Sequence, residues 1–178
     1  MWVYIWTDKW WDETYTIPKM TSSSSSYVWD SVQIYKSWYK IKNILIETTA
    51  KSTNTSQPTS FIVIAQDGNE ANTVQIYCWA GSSLSTQFAY KYSWSYTTLS
   101  NSLGTMSSWW TNTLSMNITS EWVVTTIVNW TTNTFTLTWN GKTALNNILN
   151  WTSILSNIVT RYYWEIWPAT VTVTYEQV

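Results

Sequence analysis

The sequence predicts an all-β protein, and two observations carry this prediction. Over residues 121–142 the chain reads EWVVTTIVNWTTNTFTLTWNGK, in which apolar and polar side chains alternate with a period of two. This alternation is the signal of half-buried strands. Segments of similar pattern recur along the chain, about a dozen of roughly six residues each, which is a normal strand length. The sequence therefore indicates strands joined by polar loops.

The first segment, MWVYIWTDKWWDE, carries apolar side chains on both faces of a predicted strand. We interpret residues 1–26 as this strand plus a serine-rich loop, both part of the same domain as residues 27–178. The alternative is an assembly arm that lies on a neighbouring subunit. The aromatic residues available for such an arm are Trp2, Tyr4, Trp6, Trp10 and Trp11.

Four alternating segments follow and are interpreted as strands, at 27–35, 40–49, 61–66 and 73–79. The connector Asp67-Gly68-Asn69-Glu70 is typical of a tight turn. Its carboxylates also suit calcium, which prefers oxygen ligands. The turn alone explains every residue of this connector, so calcium is the weaker interpretation and no metal site is predicted.

Aromatic residues concentrate in two further places. Residues 88–96 are expected to form one strand whose single face carries five aromatic side chains, among them Trp94 and Tyr96. Such a face suits a core, and it equally suits a platform on which sugar rings stack. Trp109 and Trp110 lie in a loop-like stretch, where a core explains them less easily. We therefore predict a ligand or partner contact at Trp94, Tyr96, Trp109 and Trp110.

The central hairpin is expected to pair residues 122–129 with residues 134–140. Trp130-Thr131-Thr132-Asn133 would form its loop, and Asn140-Gly141 would end the second strand. Only residues 143–159 show helical spacing, and asparagines interrupt it, so loops with at most a short turn of helix are expected there. The last strands are predicted at 162–167 and 170–175.

Composition limits the classes of function. Charged residues make up 11% of the chain, against roughly 25% in typical domains, so Thr, Ser and Asn must supply the polar surface. The net charge of −1 gives no electrostatic argument for nucleic acid. The N-terminus lacks the features of a signal peptide, and the longest aliphatic run, residues 61–65, is too short to cross a membrane. Cys78 is the only cysteine and is expected to be a buried small side chain.

No catalytic motif is visible, and no cofactor is predicted. The chain contains no histidine, which removes the commonest general base and metal ligand. A glycosidase needs two carboxylates that face one bond, and no predicted strand carries two acids on one face. The sequence therefore favours a protein that is not an enzyme.

The order of elements resembles the concanavalin A-like lectin/glucanase superfamily, including laminin G-like domains. The matching pattern is a Trp-led strand at 122–129, a strand ending in Asn-Gly at 134–141, a variable loop at 143–160 and a late strand at 170–175. The similarity spans about residues 40–178 and implies a two-sheet antiparallel β-sandwich, a jelly roll with little or no helix. The glucanase motif Glu-x-Asp-x-x-Glu is missing, so the resemblance does not imply hydrolase activity.

The texture of the chain also looks like that of tailed-phage virion proteins. The 16 Trp and 12 Tyr help to make large apolar side chains outnumber inward-facing strand positions by about two to one. This surplus favours a structural or adhesive virion component, assembled in the host cytoplasm, that contacts other subunits and forms a homo-oligomer. One alternative is a carbohydrate-binding module that grips surface polysaccharide. Another is a subunit of a cell-surface filament, completed by the first strand of a neighbour.

Overall fold

The computed structural model describes residues 10–23, 26–35, 39–52, 59–80, 84–107, 109–161 and 164–177. They form fourteen strands and one helix. In chain order these are β1 Trp10–Ile17, β2 Met20–Thr21, β3 Val28–Tyr35, β4 Tyr39–Ser52, β5 Thr59–Gln66, β6 Asn69–Ala80, β7 Leu84–Tyr92, β8 Ser95–Ser100, β9 Asn112–Thr119, β10 Val123–Val128, β11 Thr131–Thr136, α1 Trp139–Leu149, β12 Ser153–Arg161, β13 Trp164–Ile166 and β14 Ala169–Gln177.

The strands form two antiparallel sheets that pack face to face as a β-sandwich. The eight-stranded sheet has the order β1-β14-β4-β9-β10-β11, with β13 and β2 added beside β4. The six-stranded sheet has the order β3-β12-β5-β6-β7-β8. Every strand pairing is antiparallel, and neighbours in space are often distant in sequence, as when β12 lies between β3 and β5. The predicted fold class, an all-β sandwich, is confirmed.

The core lies between the inner faces of the two sheets. Branched aliphatic side chains fill it from both sides, for example Ile44 and Ile118 from the eight-stranded sheet and Ile62 and Ile76 from the six-stranded sheet. These four residues are almost fully buried. Isoleucine suits a pleated, covered surface, so the strands with apolar residues at every second position turn that face inward.

The helix α1 covers inward-facing residues of the six-stranded sheet, where it contacts β5, β6 and β7. Its buried side is Gly141, Ala144, Leu145, Ile148 and Leu149. Gly141 comes so close to the Tyr90 ring that an added Cβ would lie 3.0 Å from it. The chain is thus helical over residues where we expected the end of a strand and then loops, because an apolar stripe at helical spacing closes the core.

The central hairpin is present but shorter than expected. Its turn is Asn129-Trp130, since Thr131 pairs with Val128 and the ladder continues to Val123 and Thr136. The φ of Asn129 is 53°, a left-handed value that asparagine tolerates. The expected four-residue loop and the expected strand end at Asn140-Gly141 are therefore wrong, because Asn140 and Gly141 lie in the first turn of α1.

Two other sequence-based boundaries are also wrong. Residues 88–96 form parts of two strands, because a turn at Ser93-Trp94, with φ values of 46° and 72°, separates β7 from β8. Left-handed values at both residues match the two-residue turns that join twisted strands. Residues 153–159, which we expected to be loop, belong to β12. Its alternation was hidden because its outward positions include the apolar Leu155 and Val159.

The outer face of the eight-stranded sheet is largely threonine. This explains how the surface stays polar although few residues are charged. Cross-strand register places Thr14 opposite Thr172 and Thr125 opposite Thr134 on this face. Other outward threonines are Thr16, Thr170, Thr174, Thr132 and Thr136. Hydroxyl groups therefore supply polarity here, as the composition predicts.

The N-terminal aromatic residues have different outcomes. Trp2, Tyr4 and Trp6 lie outside the described residues, so their role as an assembly arm stays a prediction. Trp10 and Trp11 begin β1, which pairs along its whole length with β14 of the same chain. Trp11 packs its ring against Tyr39 and Tyr175, at centroid distances of 4.2 and 5.4 Å. This part of the segment is therefore an edge strand of the sandwich.

Cys78 is buried in the core, as expected for a small apolar side chain. Burial raises the pKa of its thiol to about 12, so the thiol stays protonated near neutral pH. Among the described residues, no helix has the length and apolar character needed to cross a membrane.

Two glycines provide a test of backbone packing. An added Cβ on Gly104 (φ 154°) would lie 3.0 Å from Thr131 Cβ and 3.1 Å from the Val128 carbonyl oxygen. We expect Gly104→Ala to lower the free energy of unfolding by about 2–4 kcal/mol, because strain and overpacking add. Gly68 (φ 72°) has open space around it, so Gly68→Ala should cost only about 1–2 kcal/mol. Urea unfolding measures both, and equal losses would contradict this packing.

Candidate functional site

The outer face of the six-stranded sheet forms a trough that crosses all six strands. We define the trough by its lining residues. These are Tyr27, Trp29, Val63, Glu70, Thr73, Gln75, Lys91, Tyr96, Leu155, Asn157 and Val159. Its volume is about 560 Å³, which falls within the range of small-molecule sites. Cross-strand register arranges part of the lining in rows, one of which runs Tyr96–Lys91–Thr73–Ala65–Leu155.

The floor of the trough is polar and deeply buried although it belongs to an outer face. Thr73 and Asn157 are 3% and 8% exposed. Thr73 Oγ1 and Asn157 Oδ1 have no hydrogen-bond partner within the described part of the chain. An unsatisfied buried polar atom lowers stability. The floor therefore holds hydrogen-bonding capacity that the fold itself does not use.

The rims of the trough carry exposed aromatic rings. Tyr27 and Trp29 belong to the β3 side, and Trp29 is 66% exposed. Tyr96 stands on the β8 side, next to Trp94 in the turn between β7 and β8. The backbone N–H of Trp94 donates to the Ala71 carbonyl at 3.1 Å, and this hydrogen bond holds the turn beside the first residues of β6. Flat, largely exposed rings thus face a polar floor from two sides.

The electrostatic surroundings of Tyr96 link it to the floor of the trough. Its pKa is raised by burial and by the charge of Glu70, and a hydrogen bond from the Gln75 side chain opposes this rise. Tyr96 and Gln75 also line a second cavity of about 260 Å³, together with Tyr77, Gln87, Ala89 and Thr98. The two cavities therefore meet at Tyr96 and Gln75 and extend along the same face.

Lys91 and Glu70 are the charged residues of the trough. Lys91 is only 5% exposed, and its ammonium lies 4.9 Å from the Trp94 ring centroid and 5.4 Å from the Tyr96 ring centroid. Glu70 is exposed and is the second residue of β6, close after the Asp67-Gly68 turn. Among the described lining residues, Glu70 is the single carboxylate.

The predicted contact residues do not form one site. Tyr96 lines the trough and Trp94 flanks it. Trp109 and Trp110 lie in the loop before β9. The Trp109 N–H donates to the Ser52 carbonyl at the end of β4 at 2.8 Å, so this loop belongs to the eight-stranded sheet and not to the sheet of the trough. The prediction grouped these four residues only because all are aromatic, since a sequence does not show which loops lie near which sheet.

Trp109 and Trp110 instead share one end of the eight-stranded sheet with Trp130, and we call these three residues the tryptophan end. Asn112 Nδ2 donates to the Trp110 carbonyl at 2.9 Å, and Asn129 Nδ2 donates to Asn112 Oδ1 at 3.0 Å. This pair of asparagines holds the loop beside the Asn129-Trp130 turn. Trp110 and Trp130 are 73% and 99% exposed, so the rings are available to a partner.

The turn at Asp67-Gly68 is present as predicted, and its carboxylate is engaged by neutral donors. Gln33 Nε2 donates to Asp67 Oδ2 at 2.7 Å, and Ser153 Oγ donates to the same oxygen at 3.0 Å. In the described ranges, no group of three or more His, Cys, Asp or Glu residues is arranged to hold a metal ion. Asp67 therefore joins β3, β12 and the turn after β5.

The sequence analysis missed most of the trough. Neither Lys91 nor Asn157 is among the residues that the sequence pattern singles out. The one available signal was the alternation of Tyr27 and Trp29 with inward apolar residues, which leaves two large rings facing outward. Register across β12 was needed to bring these residues together.

Comparison with known proteins identifies the fold. No family model matches the chain, and no characterised protein matches it in sequence. In structure, the CBM2 module of the evolved Dit of Lactobacillus casei BL23 phage J-1 aligns with a TM-score of 0.58 and 10% identity, over 91% of this chain and 77% of that one. The Emp46p carbohydrate recognition domain aligns with 0.56 and 13%, over 92% and 88%.

A third structure, the apo Crh5 transglycosylase, aligns with a TM-score of 0.52 and 13% identity, over 96% of this chain and 80% of that one. At these identities the likeness shows the fold, which is a lectin-like jelly roll. The matches include domains named for carbohydrate recognition and an enzyme, so the shared fold by itself does not separate binding from catalysis.

The unsatisfied floor predicts a stability effect. We expect Thr73→Val to raise the free energy of unfolding by about 1 kcal/mol, because it removes a buried hydroxyl without a partner. Thr126 is a matched control, since its hydroxyl is also buried and unpartnered among the described residues but faces the sandwich core. Urea unfolding of both valine variants should show similar gains, and a loss at Thr73 alone would contradict the unsatisfied floor.

Proposed function

We propose that this chain is a non-enzymatic carbohydrate-binding protein whose ligand lies in the trough. The observation that carries the proposal is the pairing of exposed aromatic rims with a polar floor on a lectin-like sandwich. A sugar ring offers an apolar C–H face and a girdle of hydroxyl groups. Aromatic rings such as Trp29 and Tyr96 suit the first, and the free acceptors Thr73 Oγ1 and Asn157 Oδ1 suit the second.

The arrangement favours a chain of sugars over a single ring. The second cavity continues from the trough past Tyr96 and Gln75, so a polysaccharide can lie across both. Tyr96 then stands between two sugar positions, where its ring contacts one unit and its hydrogen-bonded hydroxyl lies close to the next. Rigid, pre-placed rings reduce the entropy lost on binding.

The lining chemistry supports binding without hydrolysis. Glycoside hydrolysis ordinarily uses two carboxylates on opposite sides of the scissile bond. Glu70 stands alone among the described lining residues. The trough therefore holds one acid, which can accept hydrogen bonds from sugar hydroxyls.

Aromatic substitutions test this proposal. We expect Trp29→Ala and Tyr96→Ala each to weaken polysaccharide binding by roughly 3- to 10-fold, because each removes a stacking surface. Affinity electrophoresis through gels that contain a panel of polysaccharides measures the change. Trp130→Ala is the matched control, since Trp130 is equally aromatic and more exposed but lies away from the trough. Equal losses for all three variants, or no retardation of the wild type by any polysaccharide, would overturn the proposal.

A second candidate function is assembly, and the tryptophan end favours it. We propose that the chain is an adhesive structural component of a virion that contacts its own copies or other subunits through Trp109, Trp110 and Trp130. Exposed aromatic clusters are characteristic of interfaces, and a net charge of −1 gives little self-repulsion. The CBM2 module named above belongs to a phage protein, so a phage module with this fold exists. The filament alternative rests on residues 1–9, outside the described residues.

Solution mass tests the assembly candidate. Light scattering behind size exclusion should give an oligomeric mass for the full chain. Oligomers of the double variant Trp110→Ser with Trp130→Ser should dissociate at protein concentrations roughly 10-fold higher, or more, than those at which the wild-type oligomer dissociates. This increase is expected when interface anchors are lost. Trp151→Ser is the control, because Trp151 is partly exposed and lies in the connection between α1 and β12. A monomeric wild type, or an unchanged mass in the double variant, would contradict self-assembly.

A further inference from the structure

The position of Lys91 in the trough points to the class of sugar that the trough takes. Lys91 is almost fully buried, yet the ion pairs found among the described residues are Lys19–Glu165 and Lys42–Glu176. No hydrogen bond of its ammonium is found among the described residues either. Its contacts there are the rings of Trp94 and Tyr96, at 4.9 and 5.4 Å from the centroids.

Ring contacts alone give the Lys91 ammonium weaker partners than an opposite charge would. Cation–π attraction is modest, whereas hydrogen bonds between an ammonium and an anion are among the strong ones. An anion bound in the trough would supply that opposite charge. It has a defined place, because Lys91 lies between Thr73 and Tyr96 in the row that crosses the trough floor.

We infer that the trough binds an acidic saccharide and that Lys91 contacts its anionic substituent, a carboxylate or a sulfate. This inference rests on the proposed function. A sugar that stacks on Tyr96 brings its substituents over the neighbouring Lys91. Thr73 lies on β6 opposite Lys91 on β7 and lines the trough, so its hydroxyl can donate a hydrogen bond to the same anion.

Glu70 is the one opposing charge of the lining, and its position limits its effect. It is exposed at the rim, where water and salt screen it, whereas Lys91 is buried and is screened much less. Glu70 therefore accepts hydrogen bonds from hydroxyl groups of a neighbouring sugar. Removing its charge by Glu70→Gln should strengthen the binding of an acidic polysaccharide by roughly 2- to 5-fold.

An alternative explanation for Lys91 is purely structural, namely that its ammonium positions the two rings. The substitution Lys91→Met separates these roles. Methionine keeps an unbranched side chain and makes favourable sulfur–aromatic contacts, so the rings stay in place while the charge is lost. Lys91→Arg keeps the charge and serves as the conservative variant.

The experiment uses matched polysaccharides in affinity electrophoresis at low and physiological salt. Polygalacturonate, alginate and hyaluronan are each compared with their own carboxyl-reduced forms, and dextran sulfate is compared with dextran. We expect the wild type to bind at least one acidic form about 10- to 100-fold more tightly than its neutral partner. The Lys91→Met variant should lose this preference and keep its affinity for the neutral form, and Lys91→Arg should retain most of the preference.

The outcomes separate this inference from the proposed function. Equal binding of acidic and neutral forms by the wild type overturns the acidic class and leaves carbohydrate binding intact. Equal loss of both forms in Lys91→Met assigns Lys91 a structural role and overturns the direct contact. Absence of binding to every polysaccharide overturns the proposed function, and this inference with it. A preference for dextran sulfate alone identifies sulfate as the anion.

Discussion

The position of β12 between β3 and β5 is the constraint on which the candidate site depends. Strand β3 enters the six-stranded sheet through eight residue pairs with β12, and β12 continues through eight pairs with β5. Without this central strand, Trp29 and Tyr96 would belong to separate surfaces. The pairing joins chain segments at least 88 residues apart, as between Ile154 and Gln66, so the trough exists only once the C-terminal part of the chain has folded onto the rest.

Both faces of this sheet bury polar atoms that have no partner among the described residues, such as Ser156 Oγ on the inner face. The inner face is closed by aliphatic residues and by α1, whose approach to Tyr90 needs a residue without a Cβ at Gly141. The outer face buries Thr73, Asn157 and Lys91, and the described residues do not satisfy Thr73 Oγ1 or Asn157 Oδ1. Such burial lowers stability, and a ligand in the proposed site would offset this cost, in keeping with the general conflict between stability and function.

The sequence predicted the fold class well and the site poorly, for physical reasons. Period-two alternation is a local signal, so β3, β4, β10 and β14 could be located from it. The turn at Ser93-Trp94 could not, because it interrupts the alternation without a glycine. The helix α1 was missed because asparagines interrupt its apolar stripe. Strand β12 was missed because Leu155 and Val159, on its outer face, are apolar and hide the period-two alternation. Cross-strand neighbours such as Lys91 and Thr73 are set by register, which a single sequence does not state.

The two exposed aromatic groups of this protein are separated by the sandwich itself. The trough lies on the six-stranded sheet, whereas the tryptophan end is fixed to the eight-stranded sheet through Asn112 and Asn129. A ligand bound in the trough therefore leaves Trp110 and Trp130 uncovered, and a partner at the tryptophan end leaves the trough open. The proposed binding of polysaccharide and the proposed attachment to a larger assembly therefore use separate surfaces of one chain, which is the physical requirement for an adhesive subunit.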